Sequence, residues 1–99
     1  MITFVDISAA VSRVLSRYDV REAYLFGSFA RGDQTPDSDI DLRLVCGDSM
    51  TFGTLYEISL ELEEELVREV EIVTNPPEHM RPAFRKNIEQ DEVRLYEAA

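Results

Sequence analysis

The chain lacks the cysteines from which disulfide frameworks and zinc cages are built, and the long apolar runs from which membrane spans are built. Its 99 residues include no tryptophan and one cysteine, Cys46. A single cysteine excludes an internal disulfide and a cysteine-based zinc cage, so we expect a reduced thiol on a strand. No apolar run approaches the roughly 20 residues that a membrane helix needs, and the first residues lack the pattern of a signal peptide. We therefore expect a cytoplasmic protein with no membrane contact.

Positive charge is also scarce. Ten basic residues stand against twenty acidic ones, which gives a formal net charge of -10. A surface this acidic repels a polyphosphate backbone, and this argues against stable binding to long DNA or RNA. The same surface would attract a basic protein. The alternative is that the acidity serves only solubility or adaptation to a high-salt cytoplasm.

The residues that are present suffice for one small folded domain. Hydrophobic residues make up 44% of the chain and aromatic residues 9%, a composition typical of a globular protein and not of a disordered segment. The length suits a single core but not a second lobe. We therefore expect residues 1–99 to form one domain.

The hydrophobic pattern predicts the order helix, strand, strand, helix, strand, helix, and then a short extended tail. This order predicts an α+β fold in which helices pack mainly on one face of a small mixed β-sheet. Asp6 is the predicted N-cap of the first helix. The predicted ranges are 6–18, 23–26, 39–46, 55–66, 68–74, 79–90 and 93–96, with one more helical turn at 28–32.

A glycine turn follows the first predicted strand. Gly27 permits positive φ and close approach of a ligand to the backbone. Ser28 can donate its hydroxyl, and the N–H groups of the next turn point outward, as an anion requires. Arg31 can reach the same anion or brace one of the carboxylates at Asp39 and Asp41. The segment therefore predicts a phosphate-binding turn.

Two aspartates begin the second predicted strand. Asp39 and Asp41 are two residues apart, so they share one face of the strand, while Ile40 and Leu42 point to the other. Carboxylate oxygens suit hard divalent cations such as magnesium. Two such ions about 3.5–4 Å apart can stabilise both the attacking and the leaving oxygen of a phosphoryl transfer. The pair therefore predicts a magnesium site beside the phosphate turn.

Glu71 is the candidate for a third carboxylate. It lies between Val70 and Ile72, which point to the opposite, buried face, and an acid inside such a strand is uncommon without a partner. If this strand pairs beside residues 39–44, Glu71 faces the same site as the aspartates. The alternative is that Glu71 pairs with Arg43, which points to the same face. Arg43 could also compete with the metal for Asp41 or contact a phosphate.

These motifs resemble the signature of the DNA polymerase β-like nucleotidyltransferase superfamily, and the short chain resembles its minimal nucleotidyltransferase branch. The resemblance implies the polymerase β-like nucleotidyltransferase fold over nearly the whole chain, including the tail at 95–97. Members of this branch often act as antitoxins beside HEPN-domain toxins. The residues that carry the resemblance are Gly27-Ser28-Phe29-Ala30-Arg31-Gly32 and Ser38-Asp39-Ile40-Asp41-Leu42.

The resemblance implies a role for each matching residue. Gly27 and Ser28 would hold the β- and γ-phosphates of a nucleoside triphosphate. Asp39 and Asp41 would bind magnesium, and Glu71 would complete the metal site and activate the acceptor hydroxyl. The reaction would place AMP from ATP on that acceptor and release pyrophosphate. The family usually has aspartate where this chain has Glu71, and a shift of about an ångström in its geometry would cost about 100-fold in rate.

The small size implies a protein partner. Larger relatives grip the base and the acceptor with an added helical domain, for which this chain has no residues. We therefore expect an open site that a HEPN-domain toxin completes in a hetero-oligomer, with the toxin receiving AMP on a tyrosine. One alternative is an inert binding module that neutralises its partner by occlusion. Another is a transferase that acts on a small molecule or an RNA end.

A few further side chains carry weaker expectations. His79, the single histidine, precedes the last predicted helix and is expected to have a surface or capping role. Phe52, Tyr56 and Phe84 lie at helical positions. We expect them in the core or at a partner contact.

Overall fold

The computed structural model describes residues 2–74 and 79–98. In chain order, the elements are α1 (Phe4–Leu15), β1 (Val20–Phe26), α2 (Ser28–Arg31), β2 (Ile40–Cys46), α3 (Phe52–Leu66), β3 (Val70–Val73), α4 (Pro82–Asp91) and β4 (Val93–Glu97). None of the helices within these described residues has the length and apolar character that a membrane span requires.

The four strands form one sheet in the order β3-β2-β1-β4. Strand β1 is antiparallel to both β2 and β4, whereas β2 and β3 run parallel. This arrangement confirms the predicted α+β class with a small mixed sheet. The tail that was expected only to be extended is a full edge strand, β4, because its backbone pairs with β1.

The hydrophobic core lies between one face of the sheet and the helices α1 and α3. Alternate residues of β2 point into it, and Asp41 and Arg43 between them point to the other face. The core confirms that the helices pack mainly on one face. Its fully buried large side chains from the sheet and these two helices are Ile7, Val11, Leu15, Leu25, Ile40, Leu42, Leu44, Ile58 and Leu62.

The first helix begins earlier than its apolar periodicity predicts. The hydroxyl of Thr3 accepts the N–H of Asp6 at 3.2 Å, and the carboxylate of Asp6 accepts the N–H of Thr3 at 2.9 Å. This reciprocal pair is a capping box, in which Thr3 is the N-cap and Asp6 the third helical residue. The prediction of Asp6 as the N-cap was therefore wrong, and α1 runs over Phe4–Leu15.

The second half of the chain keeps its predicted elements with shifted bounds. Strand β3 covers Val70–Val73 and is shorter than predicted. Helix α4 begins at Pro82, where proline suits the first helical position because its missing N–H has no acceptor there. His79 lies before α4 and is exposed. The segment Asn75-Pro76-Pro77, which the sequence predicts to end the third strand, lies outside the described residues.

An ion pair fixes the junction of α4 and β4 to the sheet face opposite the core. Arg43 is 7% exposed. Its Nε donates to Oε2 of Glu92 at 3.0 Å, and its Nη2 donates to Oε1 of the same carboxylate at 2.9 Å. The guanidinium carbon also lies 4.4 Å from the ring centroid of Tyr24. Since Glu92 joins α4 to the edge strand β4, this pair holds the end of α4 against the sheet.

We predict that Glu92→Ala destabilises the protein by about 3 kcal/mol, because it leaves a buried guanidinium without its counter-charge. Urea unfolding followed by circular dichroism measures this free energy. The matched control is Glu89→Ala, which removes the exposed pair with Arg85 and should cost less than about 0.5 kcal/mol. Equal losses in the two variants would contradict an anchoring role for Glu92.

Candidate active site

Three segments meet at the end of β1 and the start of β2. The last residue of β1, Phe26, pairs with Asp41, so the glycine turn that follows lies against the first residues of β2. The parallel register of β3 places Glu71 opposite Asp41. The structure therefore confirms the condition on which Glu71 was selected: its strand pairs beside β2, and its side chain shares the face of Asp41.

Gly27 has a backbone that other residues adopt only under strain, with φ 76° and ψ −156°. A Cβ at this position would lie 2.3 Å from Oδ2 of Asp41. Two independent constraints therefore require glycine here, and the backbone lies directly against the carboxylate of Asp41.

The glycine turn continues into the single-turn helix α2, as predicted. The carbonyl of Gly27 accepts the N–H of Arg31 at 3.1 Å, and the carbonyl of Ser28 accepts the N–H of Gly32 at 2.9 Å. Phe29 lies buried in the core and fixes the helix to the sheet. The N–H of Ala30 also donates to the carbonyl of Gly27, at 3.1 Å. The first N–H groups of a helix have no acceptor within it, so those of Ser28 and Phe29 are the ones that can bind an anion.

The carboxyl group of Asp41 has a strongly raised pKa. Partial burial raises its pKa from 3.8 to about 6, with further contributions from the charges of Glu71 and Asp39 and from a hydrogen bond with Glu71. The positive charge of Arg31 acts in the opposite direction. Like charges close together resist full ionisation, so the arrangement favours either a shared proton or a bound cation.

The three carboxylates of the site are chemically suited to bind a hard divalent cation. Asp39, Asp41 and Glu71 offer oxygen ligands whose mutual repulsion a cation would relieve. Asp39 lies just before β2 and is exposed, as is Glu71. Within residues 2–74 and 79–98, no three His, Cys, Asp or Glu side chains lie close enough together to hold a metal ion as they stand. The carboxylates are thus neighbours and not a closed cage.

Arg31 connects the glycine turn to α4. Its Nε donates to Asp33 at 3.2 Å and its Nη1 to Asp91 at 3.3 Å. It therefore braces neither Asp39 nor Asp41 by a direct hydrogen bond. Its charge still lowers the pKa of Asp41, and its side chain lines the same cavity.

A cavity of about 270 Å³ lies between the carboxylates and α4. Phe84 of α4 packs edge to face against Phe26, with the ring centroids 6.0 Å apart. Ser28 and Asp39 are not among the lining residues. Sequence reasoning missed the wall that α4 provides, because nothing in the sequence shows which sheet face that helix covers. The lining residues are Phe26, Gly27, Arg31, Asp41, Glu71, Phe84, Asn87, Ile88 and Asp91.

Arg43 lies outside this cavity. The structure contradicts the alternative in which Arg43 pairs with Glu71, because Nε and Nη2 of Arg43 both donate to Glu92. In the sheet register, Arg43 lies opposite Val73 and not opposite Glu71. Arg43 therefore does not compete for the carboxylates.

The fold and the glycine turn beside these carboxylates are those of a nucleotide-transferring class of protein. The family model described as polymerase beta, nucleotidyltransferase matches residues 10–99. The chain belongs to this family. This finding confirms the resemblance drawn from the two motifs.

Relatives of known sequence support the same conclusion. A candidate protein adenylyltransferase of Methanocaldococcus jannaschii is 35% identical over 69 residues, which covers 70% of this chain and 74% of the relative. A second candidate protein adenylyltransferase of that organism is 36% identical over 77 residues and covers 76% of each chain. These names are those of the relatives and do not state an activity of this chain.

Solved structures with this fold include a candidate minimal nucleotidyltransferase. It has a TM-score of 0.73 and 27% identity, and the match covers 93% of this chain and 95% of that one. A toxin–antitoxin structure with AMP-PNP has a TM-score of 0.74 at 20% identity, covering 92% and 73%. The complex of a tri-AMPylated Shewanella oneidensis HEPN toxin with an MNT antitoxin has a TM-score of 0.66 at 17% identity, covering 93% and 71%. At these identities, the last two show the fold alone.

We predict that Gly27→Ala destabilises the protein by about 1–3 kcal/mol, because alanine is strained at this backbone conformation and its Cβ displaces Asp41. Urea unfolding measures the loss. Gly32→Ala is the control, since Gly32 also has positive φ, 82°, but its Cβ would meet nothing within 4 Å. The close approach to Asp41 is contradicted if Gly32→Ala costs as much as Gly27→Ala.

We predict a pH-dependent stabilisation by Asp41→Asn. The raised pKa of Asp41 means that ionising it costs folded-state stability, so the wild type loses stability relative to the variant as pH rises from about 4 to about 6. Above that range the variant should be more stable by about 1 kcal/mol, after allowance for solvent screening, or about 4–8 °C in Tm. Near pH 4 the difference should vanish. Thermal unfolding at both pH values checks this, and a difference that grows toward low pH would contradict it.

Proposed function

We propose that this protein is a magnesium-dependent nucleotidyltransferase that transfers AMP from ATP to a hydroxyl group of a protein partner. One observation carries the proposal: the sheet register places Asp41 and Glu71 side by side against the Gly27 turn. Partial burial raises the pKa of Asp41, and the nearby charges of Glu71 and Asp39 raise it further. Such crowding is costly for a resting protein and useful to one that binds cations and phosphates.

The triphosphate would bind at the glycine turn. The bare backbone at Gly27 allows a phosphate to approach closely, and the hydroxyl and N–H of Ser28 would donate to its oxygens. Arg31 would add positive charge from the rim of the same cavity. Positioning and charge neutralisation of this kind supply most of the catalysis in phosphoryl transfer.

Asp39, Asp41 and Glu71 would hold the metal. Bound magnesium, as one ion or two, would neutralise the charge that develops on the attacking and leaving oxygens. Magnesium usually takes only one or two carboxylates and completes its shell with substrate phosphates and water. An open carboxylate group, with Asp39 exposed at its edge, therefore suits a site that the nucleotide itself completes.

Glu71 would act as the base. Its carboxylate would accept the proton of the acceptor hydroxyl, the acceptor oxygen would bond to the α-phosphorus, and the bond from that phosphorus to pyrophosphate would break. Glu71 is exposed, so it can reach an acceptor that arrives from solvent. Proton transfer to a positioned carboxylate contributes about 10²–10⁴-fold.

A protein acceptor is favoured by charge and by the names of relatives. The net charge of -10 suits a basic partner surface. Two relatives are named as candidate protein adenylyltransferases, and one structural neighbour is bound to an AMPylated HEPN toxin. We therefore propose a hetero-oligomer with a HEPN-domain toxin in the cytoplasm. A neighbouring reading frame that encodes a short helical protein with an Arg-x4–6-His motif would support this pairing.

We predict that the purified protein, with magnesium and α-labelled ATP, transfers label to a HEPN-domain partner. Asp39→Asn/Asp41→Asn should lower the rate at least about 100-fold, because it removes the charges that position metal and phosphate. Labelled protein resolved on a denaturing gel measures transfer. The matched control is Asp37→Asn, an exposed aspartate of the same loop, which should retain the rate.

Two outcomes would contradict this proposal. One is the absence of transfer from any nucleoside triphosphate to a partner that forms a stable complex with the protein. The other is full neutralisation of the toxin by the double variant, which would favour occlusion as the mechanism.

A further inference from the structure

Helix α3 is apolar on two sides. Its inner side lies buried in the core. Its outer side carries Phe52, Tyr56 and Leu60, which are 90%, 65% and 44% exposed. Residues four apart on a helix lie one above the other, so these three side chains form a continuous apolar stripe, here called the α3 stripe. Large exposed apolar side chains scattered singly are ordinary, but a contiguous row marks an interaction surface.

The α3 stripe is bordered by negative charge that the chain does not neutralise. Helix α3 contains five glutamates and no basic residue. Two of them form ion pairs: Glu65 with Arg13 of α1, and Glu61 with Arg17, which lies just after α1. A third, Glu63, accepts the N–H of Val70 at 3.0 Å. Glu57 and Glu64 form no ion pair with any residue in the described part of the chain.

The α3 stripe lies on the side of the sheet opposite the active site. Helix α3 covers the face to which Ile40 and Leu42 point, and its inner residues share their core. Asp41 points to the other face, beneath α4. A protein seated on the α3 stripe would therefore leave the carboxylates and the nucleotide cavity open.

We propose that the α3 stripe is a docking surface for a helix of the protein partner, one that presents an apolar face flanked by lysine and arginine. Apolar seams with complementary flanking charges select helical partners in this way. The inference rests on the proposed function only for the identity of the partner. It adds that holding the partner and modifying it use opposite sides of this protein.

Charge also decides between the possible occupants. A second copy of this chain would place Glu57 and Glu64 near the same residues of the first, and each copy carries a net charge of -10. An anionic membrane surface would be repelled for the same reason. A basic helix instead gains both the apolar contact and the opposite charge.

The test uses a synthetic amphipathic helical peptide with leucines on one face and lysines along its flanks, titrated into ¹⁵N-labelled protein. We expect chemical-shift changes centred on α3. Phe52→Ser/Tyr56→Ser should weaken the Kd by about 10- to 30-fold, as expected for aromatic residues at the centre of an interface. Thermal unfolding should be unchanged, since both side chains are exposed.

Two matched controls test the apolar and the charge components. Val5→Ser removes another apolar side chain, 71% exposed on α1, and should leave the Kd unchanged. A peptide of the same pattern with glutamate in place of lysine should not bind. The inference is overturned if the double variant binds like the wild type, or if the shifts centre on another surface. It is also overturned if sedimentation shows a dimer of this chain that the double variant abolishes.

A kinetic measurement separates this inference from the proposed function. With a HEPN-domain acceptor, Phe52→Ser/Tyr56→Ser should raise the KM for the acceptor and leave kcat unchanged. Asp39→Asn should abolish transfer and leave the Kd of the peptide unchanged. A failure of transfer with intact peptide binding would contradict the proposed function alone, and intact transfer without peptide binding would contradict the docking surface alone.

Discussion

The parallel pairing of β2 with β3 brings two carboxylates together, and the rest of the site depends on this contact. Asp41 and Glu71 lie opposite each other in the register. Partial burial of Asp41, together with the nearby charges of Glu71 and Asp39, raises the pKa of Asp41 to about 6. The Gly27 turn lies against the same carboxylate, so closely that a Cβ would collide with it. A protein keeps such an arrangement only where its fold supplies enough stability elsewhere.

That stability comes from the apolar core on one side and from arginines on the other. Arg43 pairs with Glu92 and holds the junction of α4 and β4 against the sheet. Arg31 pairs with Asp91 near the end of α4 and with Asp33 in the loop after α2. These contacts connect the glycine turn, the second strand and the last helix. The wall that α4 gives the cavity is therefore held in place partly by Asp91 and Glu92, which lie outside the two sequence motifs.

The division of the molecule into two sides has a functional consequence. The face under α1 and α3 is occupied by the core, and it leaves the outer side of α3 exposed with its apolar stripe and glutamates. The other face holds the carboxylates and the cavity. In the proposed arrangement, the protein holds a partner by the α3 stripe and presents its carboxylates on the other side.

Much of the fold could be predicted because strands and helices have different periodicities. The alternation around Asp41 and Glu71 placed both acids on one face of their strands, and the structure bears this out. The helix start at Asp6 was predicted wrongly, because the capping box with Thr3 involves residues that precede the apolar pattern. The role of Arg43 was also open, since its partner Glu92 lies 49 positions away in the chain. The phosphate, metal and catalytic roles of the site residues remain predictions; these residues are Gly27, Ser28, Arg31, Asp39, Asp41 and Glu71.

The sequence by itself determined the family, most of the order of the elements and the candidate residues of the site, because these depend on local patterns such as glycine before serine and aspartates two residues apart. Only the tertiary structure decided which groups meet. It paired Arg43 with Glu92 in place of Glu71, brought Asp91 to Arg31, and placed α4 over the carboxylates. The physical reason is that such contacts join residues far apart in the chain, and their geometry follows from the packing of whole elements.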